Sequence, residues 1–545
     1  MADTKREIER KYESDESGLP DLTGVAGVVT VVDKGVAELD AVYYDTPDER
    51  LASAGITLRR RTGGDDAGWH LKFPVSSGVR DEIREPLSDA VPSALTGLLR
   101  SRVRDTDLVP LVRIRSSRDV RDLLDADGAL LAEVGVDAVH AERLIGVPLG
   151  TQWSEIEVEL ADGGDPAFLD KVDKKLRKAG VRTSAAPSKL ARALRETTPR
   201  EADAAKGEPE KKAKGAKEPE EAKGGKGAKG AKGAEEAKAA EGAKAAKKGK
   251  AGGKRAPEPP RVAADHVLAY VGAQRDAIVG LDPAVRRDLP DSVHSMRVAT
   301  RRLRSSLRSY AKVLDRTFTD PIGAELKWLA GELGVDRDQE VLTERLTAAL
   351  DDLPSTLLVG PVRTRLRSWS QAGSSGSRRR LIAVLDGTRY LDLLNTLDAL
   401  IAEPPLLKAA QGDPEKVLTK AVRREEGKVS TLVAQALDLP SGTDRDLAMH
   451  EARKKAKRAR YAAEAAVDFD DRFKARVRAS KSLQTLLGDH QDSVMAREAL
   501  RDLASQAQGA GEISFTYGVL YGREERRAAE IEATLPDAYE RWCTP

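Results

Sequence analysis

One cysteine, Cys543, stands in 545 residues, so no internal disulfide can brace this chain, and a reducing compartment is the expectation. Aromatic residues are 4% of the total. The basic segments lack interleaved aromatics for base stacking, which argues against nucleic acid as a partner. No apolar run reaches the roughly 18 residues that would span a bilayer, so no membrane partner is expected. The stretch Met1–Glu7 has no apolar core of a signal peptide, and the expected location is cytoplasmic. A net excess of charge is missing too: 91 basic and 89 acidic side chains leave a formal charge of +2. Any anion site must therefore come from local segregation of charge rather than from a global field. No Gly-rich phosphate loop or nucleophile elbow is present, so neither a P-loop NTPase nor a serine hydrolase is supported.

The length calls for at least two domains. Composition shifts sharply between Pro199 and Pro260, where Lys, Ala, Gly and Glu dominate and no apolar stripe remains. This reads as a disordered linker over 199–261 between domains at 1–198 and 262–545. Before it, short alternating segments separated by turn signals such as Gly63-Gly64-Asp65-Asp66 read as strands, with helices near Ala90–Arg100 and Pro166–Ala179. After it, 3.6-residue periodicity predicts helix throughout, broken at Gly373–Gly376 and Pro440–Gly442.

The strand half carries charge at a spacing of two. Glu7, Glu9 and Lys11 share one strand face, with Ile8, Arg10 and Tyr12 on the other, and Glu155, Glu157 and Glu159 repeat the pattern. Carboxylates in a row repel, and a divalent cation relieves that; oxygen ligands suit Mg²⁺ or Mn²⁺. Arg59 and Arg61, Lys72, Arg113, Arg115 and Arg118, and Lys189 supply the opposite sign. Any one such strand has a simpler reading as the solvated face of a sheet. Acidic and basic faces occurring together favour one cavity, where metal bridges phosphate oxygens and guanidinium and ammonium groups neutralise the rest.

The helical half contains an internal repeat. His294-Ser295-Met296-Arg297 is echoed by His450-Glu451-Ala452-Arg453, and Arg301, Arg302 and Arg304 by Lys457, Arg458 and Arg460. Leu333-Gly334 is echoed by Leu487-Gly488. His294, Arg297, Arg301, Arg304 and Arg308 fall on one helical stripe opposite Met296, Ala299, Leu303 and Tyr310. A charge stripe is usually a solvated face. Solvated faces normally interleave Glu at i,i+4, however, and no acidic residue lies between His294 and Arg308, so anion contact is the better reading.

With these residues in place, Glu7-Ile8-Glu9-Arg10-Lys11 resembles the ExExK signature of the CYTH family, the triphosphate tunnel metalloenzymes. Leu58-Arg59-Arg60-Arg61, Trp69-His70-Leu71-Lys72, Glu155–Glu159 and Ser188-Lys189-Leu190 extend the resemblance in order. It implies an eight-stranded antiparallel β-barrel that hydrolyses inorganic triphosphate, with the ends of longer polyphosphate as a further substrate of the same chemistry. Glu7, Glu9, Glu157, Glu159 and Asp137 would hold Mg²⁺ or Mn²⁺, with Glu133 a rival to Asp137. Lys11, Arg59, Arg61, Lys72, Arg118 and Lys189 would grip phosphates, with Arg113 and Arg115 rivals to Arg118. The helical half resembles the CHAD family, the conserved histidine α-helical domain. That implies two related four-helix bundles that bind polyphosphate through His294, Arg297, Arg301, Arg302, Arg304, His450, Arg453, Lys454, Lys457, Arg458 and Arg460. The alternative is a non-catalytic binding protein of polyphosphate granules, and a class IV adenylyl cyclase ranks below both.

Overall fold

In a computed structural model the described residues are 3–14, 18–146, 149–198, 261–334, 337–374 and 376–544. The linker reading falls almost wholly on 199–260, outside them. Arg261 is described, and its guanidinium pairs with Asp468 at 2.6 Å.

The N-terminal half closes into an antiparallel eight-stranded barrel, as expected. Its strands are β1 (Asp3–Glu13), β2 (Thr30–Asp45), β3 (Thr57–Thr62), β4 (Gly68–Ser76), β5 (Val79–Glu85), β6 (Val109–Leu124), β7 (Leu130–Arg143) and β8 (Gly150–Leu160). They are ordered β1-β5-β4-β3-β2-β6-β7-β8 around the ring. Four helices serve it: α1 (Arg50–Ser53), α2 (Ser93–Val103), α3 (Ala167–Lys178) and α4 (Lys189–Glu196). The two longer ones lie within a few residues of the predicted positions.

Strand periodicity makes this barrel polar within and apolar without along much of its length. Tyr12 on β1 and Ile156, Val158 and Leu160 near β8 share a core with Phe168, Leu169, Val172 and Leu176 of α3. Leu58, Trp69, Leu71 and Ile83 of β3–β5 pack with Leu95 and Leu99 of α2. The helices thus cover the outward apolar faces, and the alternate residues are left to line the tunnel. Toward one end the inward faces turn apolar. There Tyr43, Val112, Ile114, Val139 and Ala141 meet Leu190, Ala193 and Leu194 of α4, which stoppers the barrel.

The C-terminal half is helical: α5 (Ala263–Arg286), α6 (Ser292–Ser309), α7 (Arg316–Glu332), α8 (Arg337–Asp351), α9 (Val362–Ser374), α10 (Ser377–Asp386), α11 (Thr388–Ala402), α12 (Pro414–Asp438), α13 (Thr443–Ala466), α14 (Arg472–Gly509) and α15 (Phe515–Cys543). No described helix is long and apolar enough to cross a membrane. The repeat is legible in the elements, since α6 corresponds to α13 and α7 to the first half of α14. It is also broken: the chain stops helix at Leu333 in the first copy, whereas α14 runs straight through Leu487. Consequently α8 and α9 pack on the far ends of α14 and α15, in a core built from Leu346, Leu350, Leu366, Leu500, Leu503 and Leu520. The two bundles are thus unequal, with the fourth helical layer of the first copy handed to the second.

Barrel and helices form one compact unit. Ser101 of α2 donates to the Val279 carbonyl (3.3 Å), and Arg104 pairs with Asp398 (3.1 Å).

Candidate anion and metal sites

Register decides which charges meet inside the barrel. Across β7, β8 and β1, Glu133 pairs with Glu159 and Glu159 with Glu9, a lateral row of three carboxylates. One layer on, Glu157 lies opposite Lys11, and Asp137 lies opposite both Arg118 and Glu155. On the other wall Lys5 and Lys72 both flank Glu82, and Glu7 lies opposite Arg80. Apart from Asp137 and Glu155, these side chains line one cavity of about 660 Å³. Glu7, Glu9, Lys11, Arg59, Arg61, Lys72, Arg118, Glu157, Glu159 and Lys189 all line it, so the two acidic strands and the cations predicted from sequence do share an enclosure.

The register makes two electrostatic layers. In the first, cations and carboxylates neutralise each other. Lys189 Nζ reaches Asp137 (3.0 Å), Glu155 (2.7 Å) and Glu157 (2.6 Å), while Lys11 pairs with Glu9 (2.9 Å) and with Glu157. Arg118 forks onto Asp137 through Nε and Nη2, both at 2.8 Å. Burial works against every charge here, yet the neighbouring cations win for Glu157 and Asp137, which sit below the usual carboxylate range. Glu9 is lowered in the same way, burial being outweighed by Lys11. The same pairing holds Lys189 and Lys11 above the ordinary ammonium value in spite of burial.

In the second layer two carboxylates are held above their usual range. Glu7 is 3% exposed, and burial raises its pKa, with Glu82 and Glu159 adding repulsion that Lys72 does not cancel. Glu133 is raised for the same reasons, burial first and then Glu159. A buried carboxylate such as Glu7, held above its usual range, is donor chemistry that a hard divalent cation fits.

Which arginine of β6 meets the cavity depends on which way the strand faces. Arg118 points into the cavity, whereas Arg113 lies exposed against Asp40 and Arg115 is exposed on the same outer face. Gly135 makes the room: a Cβ there would lie 3.2 Å from Arg118 Nε. Asp137 and Glu133 both face inward, but they belong to different layers. Asp137 has its oxygens engaged by Arg118 and Lys189, and Glu133 stands in the carboxylate row.

The lysine of α4 is delivered by local sequence. Ser188 caps the helix, accepting from the Ala191 N–H at 3.1 Å, so Lys189 begins it at the apolar stopper's inner end. Arg80 Nη2 ties down the preceding turn through the Pro187 carbonyl (2.8 Å). Sequence reasoning passed over Arg80, Glu82 and Arg84, although Val79–Glu85 alternates in the same way as the segments it used. Fully buried Glu82 bonds Arg84 (2.5 Å) and His70 Nδ1 (2.8 Å), with Lys72 at 3.3 Å. Burial pushes His70 down to about 4, while its two ring nitrogens sit against Glu82 Oε1 and the Asp66 carbonyl (2.9 Å). Tyr43 was also missed; Arg59 Nη1 donates to its hydroxyl at 3.3 Å.

In the helical half, Met296, Ala299 and Leu303 of α6 and Met449, Ala452, Ala456 and Ala459 of α13 are buried as the stripe predicts. The alanines let α13 approach its neighbours closely. The two basic stripes face each other: Lys457 is surrounded by Arg453 of its own helix and by Arg297 and Arg301 of α6. Arg304 likewise feels Arg308, Arg458 and Arg301. The paired Leu-Gly segments explain themselves here. A Cβ on Gly334 would lie 2.8 Å from the Arg297 guanidinium carbon, and one on Gly488 3.2 Å from Arg453 Nη2. Each glycine seats the first arginine of its own repeat.

The remaining expected residues divide. His450 Nδ1 donates to Gln491 Oε1 at 2.7 Å, His294 is exposed, and Lys454 is exposed in an ion pair with Glu451. Arg458 lies 3.9 Å from buried Glu425. Arg302 and Arg460 both turn to Glu464, at 2.9 and 3.1 Å, and so belong to an internal ion-pair network rather than to the shared basic face. The sequence placed Glu464 where the first repeat has Arg308; its partners show what that exchange does.

Residues 5–194 match the CYTH domain and residues 269–501 the CHAD domain. An uncharacterized protein of Mycobacterium tuberculosis (strain CDC 1551 / Oshkosh) is 37% identical over 549 residues, spanning 97% of this chain and 95% of that protein. A counterpart in strain ATCC 25618 / H37Rv matches to the same extent. Among solved structures, PptA from Streptomyces chartreusis is 22% identical and covers 51% of this chain and 99% of its own, with a TM-score of 0.43. The CHAD domain from the plant Ricinus communis is 24% identical over 51% of this chain and 92% of its own, with a TM-score of 0.41. On the strength of the two domain matches and the end-to-end relatives, this chain belongs to the family that joins a CYTH domain, the triphosphate tunnel enzyme domain, to a CHAD domain.

Proposed function

We propose that the barrel hydrolyses inorganic triphosphate with the help of Mg²⁺ or Mn²⁺, and that the helical domain binds polyphosphate. The observation carrying the first half is the joint burial of both signs of charge around one 660 Å³ cavity. Glu7, Glu9 and Glu159, joined by Glu133, would hold the metal, since β1, β7 and β8 gather their carboxylates on one wall of the cavity. Asp137 and Glu157 would instead orient Arg118, Lys11 and Lys189, the groups they already bond. This departs from the sequence-based assignment of those two as ligands. A bound divalent ion supplies Lewis acidity at phosphate oxygens. Arg59, Arg61, Lys72 and Arg84 would bind the anion and offset charge gathering on the leaving pyrophosphate. The α4 stopper leaves one end for entry and keeps bulk water from the other.

The second half rests on the face-to-face basic stripes of α6 and α13, seated by Gly334 and Gly488. The test is phosphate release from tripolyphosphate by the full chain, with Mg²⁺, with Mn²⁺ and with chelator. Metal-dependent turnover that is lost in Glu7→Ala supports the proposal. Absence of turnover alongside tight polyphosphate binding would favour the non-catalytic granule protein, and cyclic product from ATP would favour the cyclase.

A further inference from the structure

The turn between β3 and β4 lays a carboxylate on two of the tunnel's arginines. Asp66 pairs with Arg61 through Nη2, and its Oδ2 lies 3.9 Å from Arg84 Nη2. Gly64, Asp65 and Asp66 all line the cavity, and Gly64 and Asp65 are exposed, so this turn forms part of the rim. Its backbone is held in place. Gly63 and Gly64 are both left-handed, at φ +80° and +71°, and a Cβ on Gly63 would lie 2.1 Å from the Glu38 carbonyl oxygen. The Asp66 carbonyl is bonded to His70 Nε2 at 2.9 Å. The Asp66 carboxylate is freer, a third exposed and free to rotate about its own side chain. Its hold on Arg61 is also incomplete. Arg61 is 6% exposed, and its Nε is buried with no hydrogen-bond partner. A phosphate group, with its several oxygens, can fork onto Nε and Nη2 together.

We propose that Asp66 is a tethered competitor, whose carboxylate occupies the seat that a substrate phosphate takes on Arg61 and Arg84, and that it thereby selects which phosphates bind. The inference rests on these arginines being the anion-binding groups of the proposed triphosphatase. A ligand must displace the carboxylate, and the fixed turn keeps that carboxylate at a high effective concentration beside its arginines. Tripolyphosphate can do so, because its other phosphates reach Arg59 and Lys72 in the same cavity. Orthophosphate brings one group to one contested seat and is held off. Discrimination of this kind comes from a built-in repulsive element rather than from an added contact. It costs some affinity for the chain, and in return it keeps the released orthophosphate from blocking the rim. Asp66 is thus a specificity-determining residue that acts by weakening binding.

The experiment is steady-state hydrolysis of tripolyphosphate by the full chain with Mg²⁺, with orthophosphate added as inhibitor, in wild type and Asp66→Asn. Asparagine keeps the size of the side chain and cannot neutralise an arginine. The expected result is a KM lowered about fivefold, the worth of a partly exposed ion pair, with kcat within about twofold of wild type. The inhibition constant of orthophosphate is expected to fall by more than the KM does. Asp66→Ser is expected to act in the same direction, and circular dichroism verifies that the variants fold. Asp65→Asn makes the same charge change one residue away on the rim and is expected to leave both constants within about twofold. A KM that is unchanged or raised in Asp66→Asn overturns the inference, and so does a loss confined to kcat. Equal effects of Asp65→Asn and Asp66→Asn reduce the matter to net charge and overturn it as well; each of these results leaves the triphosphatase standing. Wild type that neither hydrolyses tripolyphosphate nor binds it in calorimetry overturns the proposed function itself, and this inference with it.

Discussion

Replacing Lys189 by Met keeps the side-chain volume and deletes one charge from the most crowded part of the tunnel. The lysine touches three carboxylates, Asp137, Glu155 and Glu157, at 2.6–3.0 Å, and is 8% exposed. Those three acids converge so that one oxygen of each lies within 4.8 Å of the others. Without the lysine only Arg118 and Lys11 remain for them. Removing one partner from a buried ion pair costs about 3–5 kcal/mol, and that range applies at pH 8. The cost must shrink in acid. In the variant, burial and mutual repulsion raise the folded-state pKa values above the unfolded ones, so the folded form binds the extra protons and gains stability as pH falls. In the wild type, Asp137 and Glu157 are lowered, so their contribution is present above the unfolded carboxylate range near 4 and is lost as pH falls through the folded values. At pH 5 the wild-type contribution is still intact, so between pH 8 and pH 5 only proton uptake by the folded variant narrows the gap. Urea-dependent hydrogen exchange of β7 and β8 amides in chelator reads the local free energy. A loss under about 1 kcal/mol at pH 8, or one equal at pH 5 and 8, refutes the reasoning, since neither fits a lysine neutralising a buried acidic trio.

Three further outcomes are expected. Gly135→Ala should lower triphosphate turnover about tenfold or more by displacing Arg118, with steady-state kinetics as the check and an unaltered kcat/KM as the contrary result. Gly334→Ala should weaken polyphosphate binding more than Gly488→Ala, because its Cβ comes closer to the guanidinium it crowds; fluorescence polarisation with labelled polyphosphate decides the order. Arg301→Gln should reduce the salt dependence of polyphosphate binding by about one ion, whereas Arg302→Gln should leave the salt slope alone and cost about 1 kcal/mol of stability or less, because Arg460 and Tyr270 still hold Glu464.

Much of this protein is written in local periodicity. A spacing of two placed Glu7, Glu9, Lys11, Glu157 and Glu159 on one face of their strands, and a spacing of three and four placed Arg297, Arg301 and Arg304 on one face of a helix, because each backbone repeats its side-chain direction regardless of what surrounds it. The repeat in the helical half was legible for the same reason. Relations between elements were not. Which carboxylate meets a lysine and which meets another carboxylate depends on register around the closed barrel. That register sets Glu133 beside Glu159 and Asp137 beside Arg118, and the docking of α4 brings Lys189 to Asp137. The packing of α6 on α13 surrounds Lys457 with arginines 150 or more residues distant in the chain. Charge interaction depends on distance in space, so sequence could name the charged groups, and only the closed, packed chain could pair them.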